Sequence, residues 1–204
     1  MDTIPPYESP SQQMTDLEWT ALLEALATPD GFLEPLGQRH LAFFAPAGPI
    51  LLVSFETVDS VRLSRPSQRP LAYEVAQENG WSSLTLMAKD QSWYRDDDVF
   101  AFFDRLTDEG FFEPYRRIVF FGAGMGGYAA CAFSVAAPGA TVLALAPQAT
   151  LDPRIAGWDT RFTDRRRISF RGRYGYAPEM IEAAGEVYLA YDPNDHLDAM
   201  HAAL

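Results

Sequence analysis

Residues 117–130 read Arg-Ile-Val-Phe-Phe-Gly-Ala-Gly-Met-Gly-Gly-Tyr-Ala-Ala. An apolar strand runs into a glycine-dense turn, and the turn runs into a helix of small residues. No other stretch restricts the fold as much. A junction of this kind belongs to α/β proteins, where it presents phosphates or nucleophiles at the carboxyl edge of a parallel sheet. Two readings of its glycines compete. Gly122, Gly124 and Gly127 spell G-x-G-x-x-G, the dinucleotide fingerprint. Gly122, Gly124 and Gly126 also fit G-x-S-x-G, the sharp turn that carries a nucleophilic serine, with glycine standing in the serine position.

The rest of the chain alternates strands and helices around that junction. Thr15 and Glu18 form a capping box, and Trp19, Leu22, Leu23 and Leu26 follow at helical spacing until Pro29-Asp30-Gly31 stops the helix. Strands are expected at residues 40–44, 50–55, 84–88, 117–121, 141–146 and 186–191, the first two pairing as a hairpin on the sheet edge. Pro70 and Gly80 bracket a helix. Asp96, Asp97 and Asp98 open another, where their charge suits a helix N-terminus better than a metal, since consecutive helical residues point apart. Further helices are expected over 126–136, 177–184 and from 195 onward, with 56–69 as loop. The order implies a three-layer α/β/α sandwich on a mainly parallel sheet, and residues 118–121, apolar throughout, read as a strand covered on both faces. Residues 1–14 read as a flexible tail, 15–204 as a single domain, and 148–175, without periodicity, as a lid or flap insertion.

Composition narrows the function. A chain of 204 residues with 48% hydrophobic content can bury a substantial core. Its formal net charge of −12 disfavours nucleic acid and anionic membrane surfaces. Cys131 stands alone, which fits a reducing, cytoplasmic compartment and leaves no cysteine-based metal site. The first thirteen residues have neither a basic n-region nor an apolar h-region, and no apolar run approaches a membrane span. Neither a cofactor nor a metal is expected.

The dinucleotide reading requires an acid after the next strand, to hold a ribose, and residues 145–148 are Leu-Ala-Pro-Gln. Several strands also precede the turn, whereas the fingerprint usually opens its unit. The piece Gly-Met-Gly-Gly-Tyr-Ala-Ala instead resembles the α/β-hydrolase superfamily, in particular bacterial members reading Gly-x-Ser-Met-Gly-Gly-Tyr-Ala-Ala. The resemblance extends to Ser92-Trp93-Tyr94 and to residues 190–195, and covers roughly residues 50–200. It implies an α/β-hydrolase-like sheet lacking its last strand. Gly124 takes the nucleophile position, the Met125 N–H is an oxyanion donor, and Glu56 or Thr57 supplies the other. Asp195 takes the acid position, with Asp192 as the alternative. A base histidine would follow one further strand. His196 and His201 do not stand there and read as surface or partly packed, and no role is assigned to His40.

Glycine has no hydroxyl, so acyl transfer through Gly124 is impossible. Cys131 and Ser134, on the helix after the turn, read as packing residues. Arg161, Arg165, Arg166, Arg167, Arg171 and Arg173 form a basic segment with interleaved aromatics. Arg165 and Arg167, with Gly122, Gly126 and Gly127, are the ligand-binding candidates if this segment is an anion-binding flap. The favoured alternative is a solvated loop whose arginines pair with the excess acids. The expected function is a catalytically degenerate hydrolase-like protein that binds a small molecule or a protein partner, with a homo-oligomer also compatible. One alternative is an active enzyme of non-serine chemistry that uses the turn as an anion or oxyanion cradle. Another is a nucleotide-dependent oxidoreductase, the phosphoadenosine phosphosulfate reductases included, for which a lone cysteine without a Cys-Gly-x-His pattern gives no support.

Overall fold

The computed structural model describes residues 13–27 and 29–204, so the expected tail falls almost wholly outside the described residues. Seven strands form one sheet: β1 (Phe32–Leu36), β2 (His40–Ala45), β3 (Ile50–Thr57), β4 (Ser82–Ala88), β5 (Arg117–Ala123), β6 (Thr141–Leu145) and β7 (Glu186–Ala190). Their spatial order is β1-β2-β4-β3-β5-β6-β7. β1–β2 and β2–β4 pair antiparallel, and every later pair is parallel. The expected hairpin between residues 40–44 and 50–55 is corrected by this order: β4 lies between them, pairing Phe43 with Thr85 on one side and Ser54 with Thr85 on the other.

Among the described residues there are eight α-helices, α1 (Asp16–Ala27), α2 (Val58–Leu63), α3 (Leu71–Asn79), α4 (Asp97–Asp108), α5 (Met125–Phe133), α6 (Pro153–Ala156), α7 (Ala177–Met180) and α8 (His196–Ala203), and short 3-10 turns at Ser134–Ala136, Thr163–Arg165 and Ile181–Ala183. The Thr15 capping box forms as read, with the Glu18 N–H on Thr15 Oγ1 and the Thr15 N–H on Glu18 Oε2. Gly80 closes α3 in the left-handed region, at φ 66°. Residues 56–69 are not all loop. A second capping box, between Thr57 and Ser60, starts α2.

The two sheet faces carry separate cores. On one, Trp19 and Leu23 of α1, Val61 of α2 and Tyr73 of α3 pack on Phe43 and Met87. On the other, α4 and α5 press Phe102, Phe103, Ala129 and Phe133 against Phe44, Leu51, Val53, Phe55, Leu84 and Phe120. The second face is covered along β3, β5 and β6 by α5. The first is covered only as far as α3, which packs on β4 and β3. Beyond it, Val119 and Phe121 of β5 are half-buried, while Leu143 of β6 and Tyr188 of β7 are exposed. The expectation that residues 118–121 are covered on both faces is therefore corrected: only the face carrying Ile118 and Phe120 is covered, by the α5-side core. Every residue of β7 is exposed, and among the described residues no strand pairs with its outer edge.

Candidate functional site

The turn after β5 lies at the carboxyl edge of the parallel strands. Gly124 has φ 54° and ψ −116°, a conformation that L side chains rarely adopt. Its N–H donates to the Leu145 carbonyl at 2.8 Å, which fastens the turn to the end of β6. The glycines around it are glycines for a different reason. A Cβ at Gly122 would collide with the Gly126 carbonyl, and one at Gly126 with the Phe55 carbonyl. Close approach of α5 to β3 and β5 is what these two allow. A Cβ at Gly124 would meet nothing within 4 Å. Gly124 is thus a position where the backbone disfavours a side chain but the surrounding space does not.

Beside the turn is a cavity of about 350 Å³, whose walls include Phe55, Tyr94, Met125, Gly126, Leu145 and Arg65. The first N–H groups of α5 have no intrahelical acceptors, so the Met125 and Gly126 amides are available as donors at this wall. Glu56 also lines the cavity, and its carboxylate accepts from the Leu71 and Ala72 N–H groups at 3.0 and 3.1 Å, capping α3 from a neighbouring strand. Burial pushes its carboxyl above the usual range, against those two amides and Arg65, which pull it down. The Thr57 N–H, a candidate oxyanion donor by sequence, donates to Ser60 Oγ at 3.1 Å inside the α2 capping box. Arg65 was not singled out by its sequence context. Its Nε is buried without a hydrogen-bond partner, and its ion-pair partner among the described residues is Glu74, at 3.8 Å.

The acid candidates serve the backbone. Asp195 caps α8, its Oδ1 accepting from the Leu197 and Asp198 N–H groups at 2.9 and 3.1 Å, and Asp192 accepts from the Asn194 N–H at 2.8 Å. His196 is exposed, but His201 is fully packed, a correction to its expected surface or partly packed placement. Its Nδ1 accepts the Ala149 N–H at 3.2 Å, and its Nε2 faces Asp159 Oδ2 at 3.0 Å. That pairing fixes the neutral ring with its proton on Nε2. No histidine lines the cavity beside Gly124.

A second polar constellation was hidden in the sequence because its members are distant. His40, at the start of β2, has Nε2 2.6 Å from Ser92 Oγ and Nδ1 3.5 Å from Asp96 Oδ2. The order resembles a serine–histidine–aspartate relay, but Nδ1 is buried without a hydrogen-bond partner, so the histidine–aspartate link is not made. Ser92 and His40 are 1% and 0% exposed, and Ser92 Oγ also accepts the Tyr94 N–H at 3.1 Å. Trp93 and Tyr94 stand at φ 50° and 55°, and the Trp93 indole reaches Gln148 at 3.2 Å. The network locks a strained loop and offers no accessible hydroxyl.

The arginine segment is largely paired. Arg161 holds Asp159 and Asp198 at 2.9 and 2.7 Å, Arg165 holds Asp164 at 3.0 Å, and Arg173 holds Asp104. Arg167 is exposed, and neither it nor Arg165 lines the cavity beside the turn. Cys131 is buried among apolar groups that push its thiol up to about 12, so it stays protonated. Ser134 bonds the Cys131 carbonyl at 2.9 Å. Among the described residues no cluster of histidine, cysteine and acid side chains could hold a metal ion, and no helix is long and apolar enough to cross a membrane.

No protein-family model matches the chain, and no curated protein matches it in sequence. Solved structures do. The fluorophosphonate-binding serine hydrolase FphF of Staphylococcus aureus superposes with a TM-score of 0.53 at 12% identity, over 85% of this chain and 81% of that one. Carboxyl esterase 2 of Tuber melanosporum gives 0.52 at 14% identity, over 98% of this chain and 76% of that one. The Gap123 glycosylation-associated protein complex of Streptococcus agalactiae gives 0.52 at 14% identity, over 79% of this chain and 35% of that one. This chain thus spans about a third of the matched Gap123 chain. At such identities the likeness speaks for the fold, and the fold is that of the α/β-hydrolases: a mostly parallel sheet with helices on both sides.

Proposed function

We propose that this chain is an α/β-hydrolase-like protein whose turn after β5 is a nucleophile elbow without its nucleophile, and that it binds a small molecule there instead of cleaving one. The observation that carries the reading is Gly124. Its strained backbone and the open space at its missing Cβ are what an elbow needs, and no hydroxyl is present. Met125 and Gly126 supply amides, Phe55, Leu145 and Met125 supply an apolar wall, and no histidine stands at the cavity. FphF is described as a fluorophosphonate-binding serine hydrolase, and the same probe tests this chain. A fluorophosphonate is expected to leave the intact protein's mass unchanged, and activated esters to show no turnover above buffer. A stoichiometric adduct, or turnover that survives replacement of Ser54, Ser92 and Ser134, sinks the reading. An adduct mapped to Ser92 would assign chemistry to the His40 network.

A protein partner is the second reading, supported by the exposed β7 edge and by the likeness to a chain from a protein complex.

A further inference from the structure

Backbone strain collects at one joint of this molecule. Trp93, Tyr94, Ala146 and Tyr174 stand at φ 50°, 55°, 43° and 61°, a region that L side chains rarely enter. Such conformations persist where the surroundings over-determine them. The contacts around these four residues do so. The Trp93 indole N–H donates to Gln148 Oε1 at 3.2 Å, and Gln148 Nε2 donates to the Ala146 carbonyl at 3.1 Å. The Trp93 ring stands edge-on to Phe162 at 4.9 Å. Arg95, next to Tyr94, donates to the Ser169 and Arg173 carbonyls at 3.0 and 2.7 Å, and the Tyr174 carbonyl accepts from Tyr128.

The loop carrying Trp93 and Tyr94 faces two ways. Trp93 and Arg95 grip residues 162–173 of the arginine segment. Ser92 and Tyr94 grip the sheet. Ser92 Oγ lies 2.6 Å from His40 Nε2 and accepts the Tyr94 N–H at 3.1 Å. The Tyr94 ring meets Phe55 at 5.1 Å, and its hydroxyl donates to the Glu56 carbonyl at 2.5 Å. Phe55, Glu56 and Tyr94 are walls of the cavity beside the turn, and so is Leu145, which precedes Ala146. Segment and cavity share four consecutive residues whose strained middle is held from both sides.

We propose that residues 92–95 are a conformational strap that couples the arginine segment to the cavity. Release of the segment lets Trp93 and Tyr94 relax out of the left-handed region, and Tyr94 leaves the cavity wall. The coupling is reciprocal: whatever loosens Tyr94 at the wall loosens residues 162–175 as well. Ser92 and His40 are positioning residues in this arrangement. They fix the sheet end of the strap, a role that needs no accessible hydroxyl.

The test is amide hydrogen exchange of the intact chain, followed residue by residue. It needs no ligand, so its outcome stands apart from whether the turn binds one. Phe162→Ala acts on the segment, and exchange of the Tyr94 amide is expected to rise at least about fivefold. Ser92→Ala acts at the sheet, and exchange over residues 162–175 is expected to rise by about the same factor. In the double variant the two effects should not add, because a single strap is released once. Ser60→Ala weakens the cavity wall at the start of α2 without touching the strap, and should leave residues 162–175 at native rates. Trp93→Phe keeps a ring for Phe162 and loses the donor to Gln148, and it repeats the reading on the segment if Ser92→Ala does not fold. Native exchange over 162–175 in Ser92→Ala or Trp93→Phe, native exchange at Tyr94 in Phe162→Ala, or additive effects in the double variant overturns the proposal. So does an equal rise over the segment in Ser60→Ala, which would trace the effect to general softening of the fold.

Discussion

At the scale of single residues, the glycines of the turn separate space from strain. Gly122 and Gly126 have no room for a Cβ, because backbone carbonyls occupy the position and cannot rotate away. Gly124 has the room and lacks only a comfortable conformation. Gly122→Ala and Gly126→Ala are therefore expected to cost at least about 3 kcal/mol or to prevent folding. Gly124→Ala and Gly124→Ser should cost about 1–2 kcal/mol and fold normally. Urea denaturation of the four variants decides the matter, and equal losses at all of them would mean that the turn is loose. Gly124→Ser should also stay inactive on esters, since His40 is spent on Ser92 and His201 on Asp159. This contrast was only partly legible. The letters identify a tight turn, but which glycine is crowded depends on the distance of Phe55 and Gly126 across the sheet, which no spacing records.

At the scale of elements, local signals were read well and pairings poorly. The caps at Thr15 and Gly80 act through neighbours in sequence and formed as expected, whereas the start of α3 at Pro70 is capped by Glu56 from a strand distant in sequence. β1 escaped notice because Pro35 sits inside it, which an edge strand tolerates and a central one does not. The supposed hairpin failed because a short turn between apolar runs says nothing of a third strand inserted between them. α2 was lost in a polar stretch although Thr57 and Ser60 carry its capping box. Residues 148–175 lack periodicity for a tertiary reason: they are held by contacts from elsewhere. The Arg95 guanidinium donates to the carbonyls of Ser169 and Arg173 at 3.0 and 2.7 Å, and the Tyr128 hydroxyl donates to that of Tyr174. Arg95→Ala removes a fork that fastens this segment, and its stacking on Phe170, while leaving the Tyr128 bond and the Tyr128–Phe170 ring contact in place. Amide exchange over residues 169–175 is expected to rise about tenfold or more, with the rates in β3 and β5 unchanged. An unchanged segment would show that apolar packing alone holds it.

At the scale of the whole molecule, alternation of strands and helices was enough to give the sheet and its layers, but not the extent of their cover. Apolar residues at 119 and 121 look the same whether a helix covers them or a cleft does. The sequence likewise gave no sign that two of its histidines are buried, and these set the response of the fold to acid. Burial holds His40 below the ordinary histidine range. Asp96 and Asp90 pull it back up, and Arg39 pushes with burial. Burial does the same to His201 against the pull of Asp159 and Asp198, with Arg161 again on the side of burial. Both rings stay neutral in the fold at pH values where the unfolded chain, with histidines near about 6.5, takes up protons. The stability they contribute is whole above that value and drains away as the pH falls through it towards the lower folded values, by at most about 1.4 kcal/mol per pH unit for each histidine. Burial alone would raise the Asp159 carboxyl, but hydrogen bonds from Arg161 and His201 outweigh it and hold it low, so its own loss comes only below about pH 4. Urea midpoints measured from about pH 7 to about pH 5 should therefore fall, and His201→Gln should flatten the slope to roughly half. Glu56, held above the usual carboxylate range by burial, acts in the opposite sense, so a midpoint that rises on acidification would trace to it, whereas a slope that the variant leaves untouched would show that the His201 ring does not supply it.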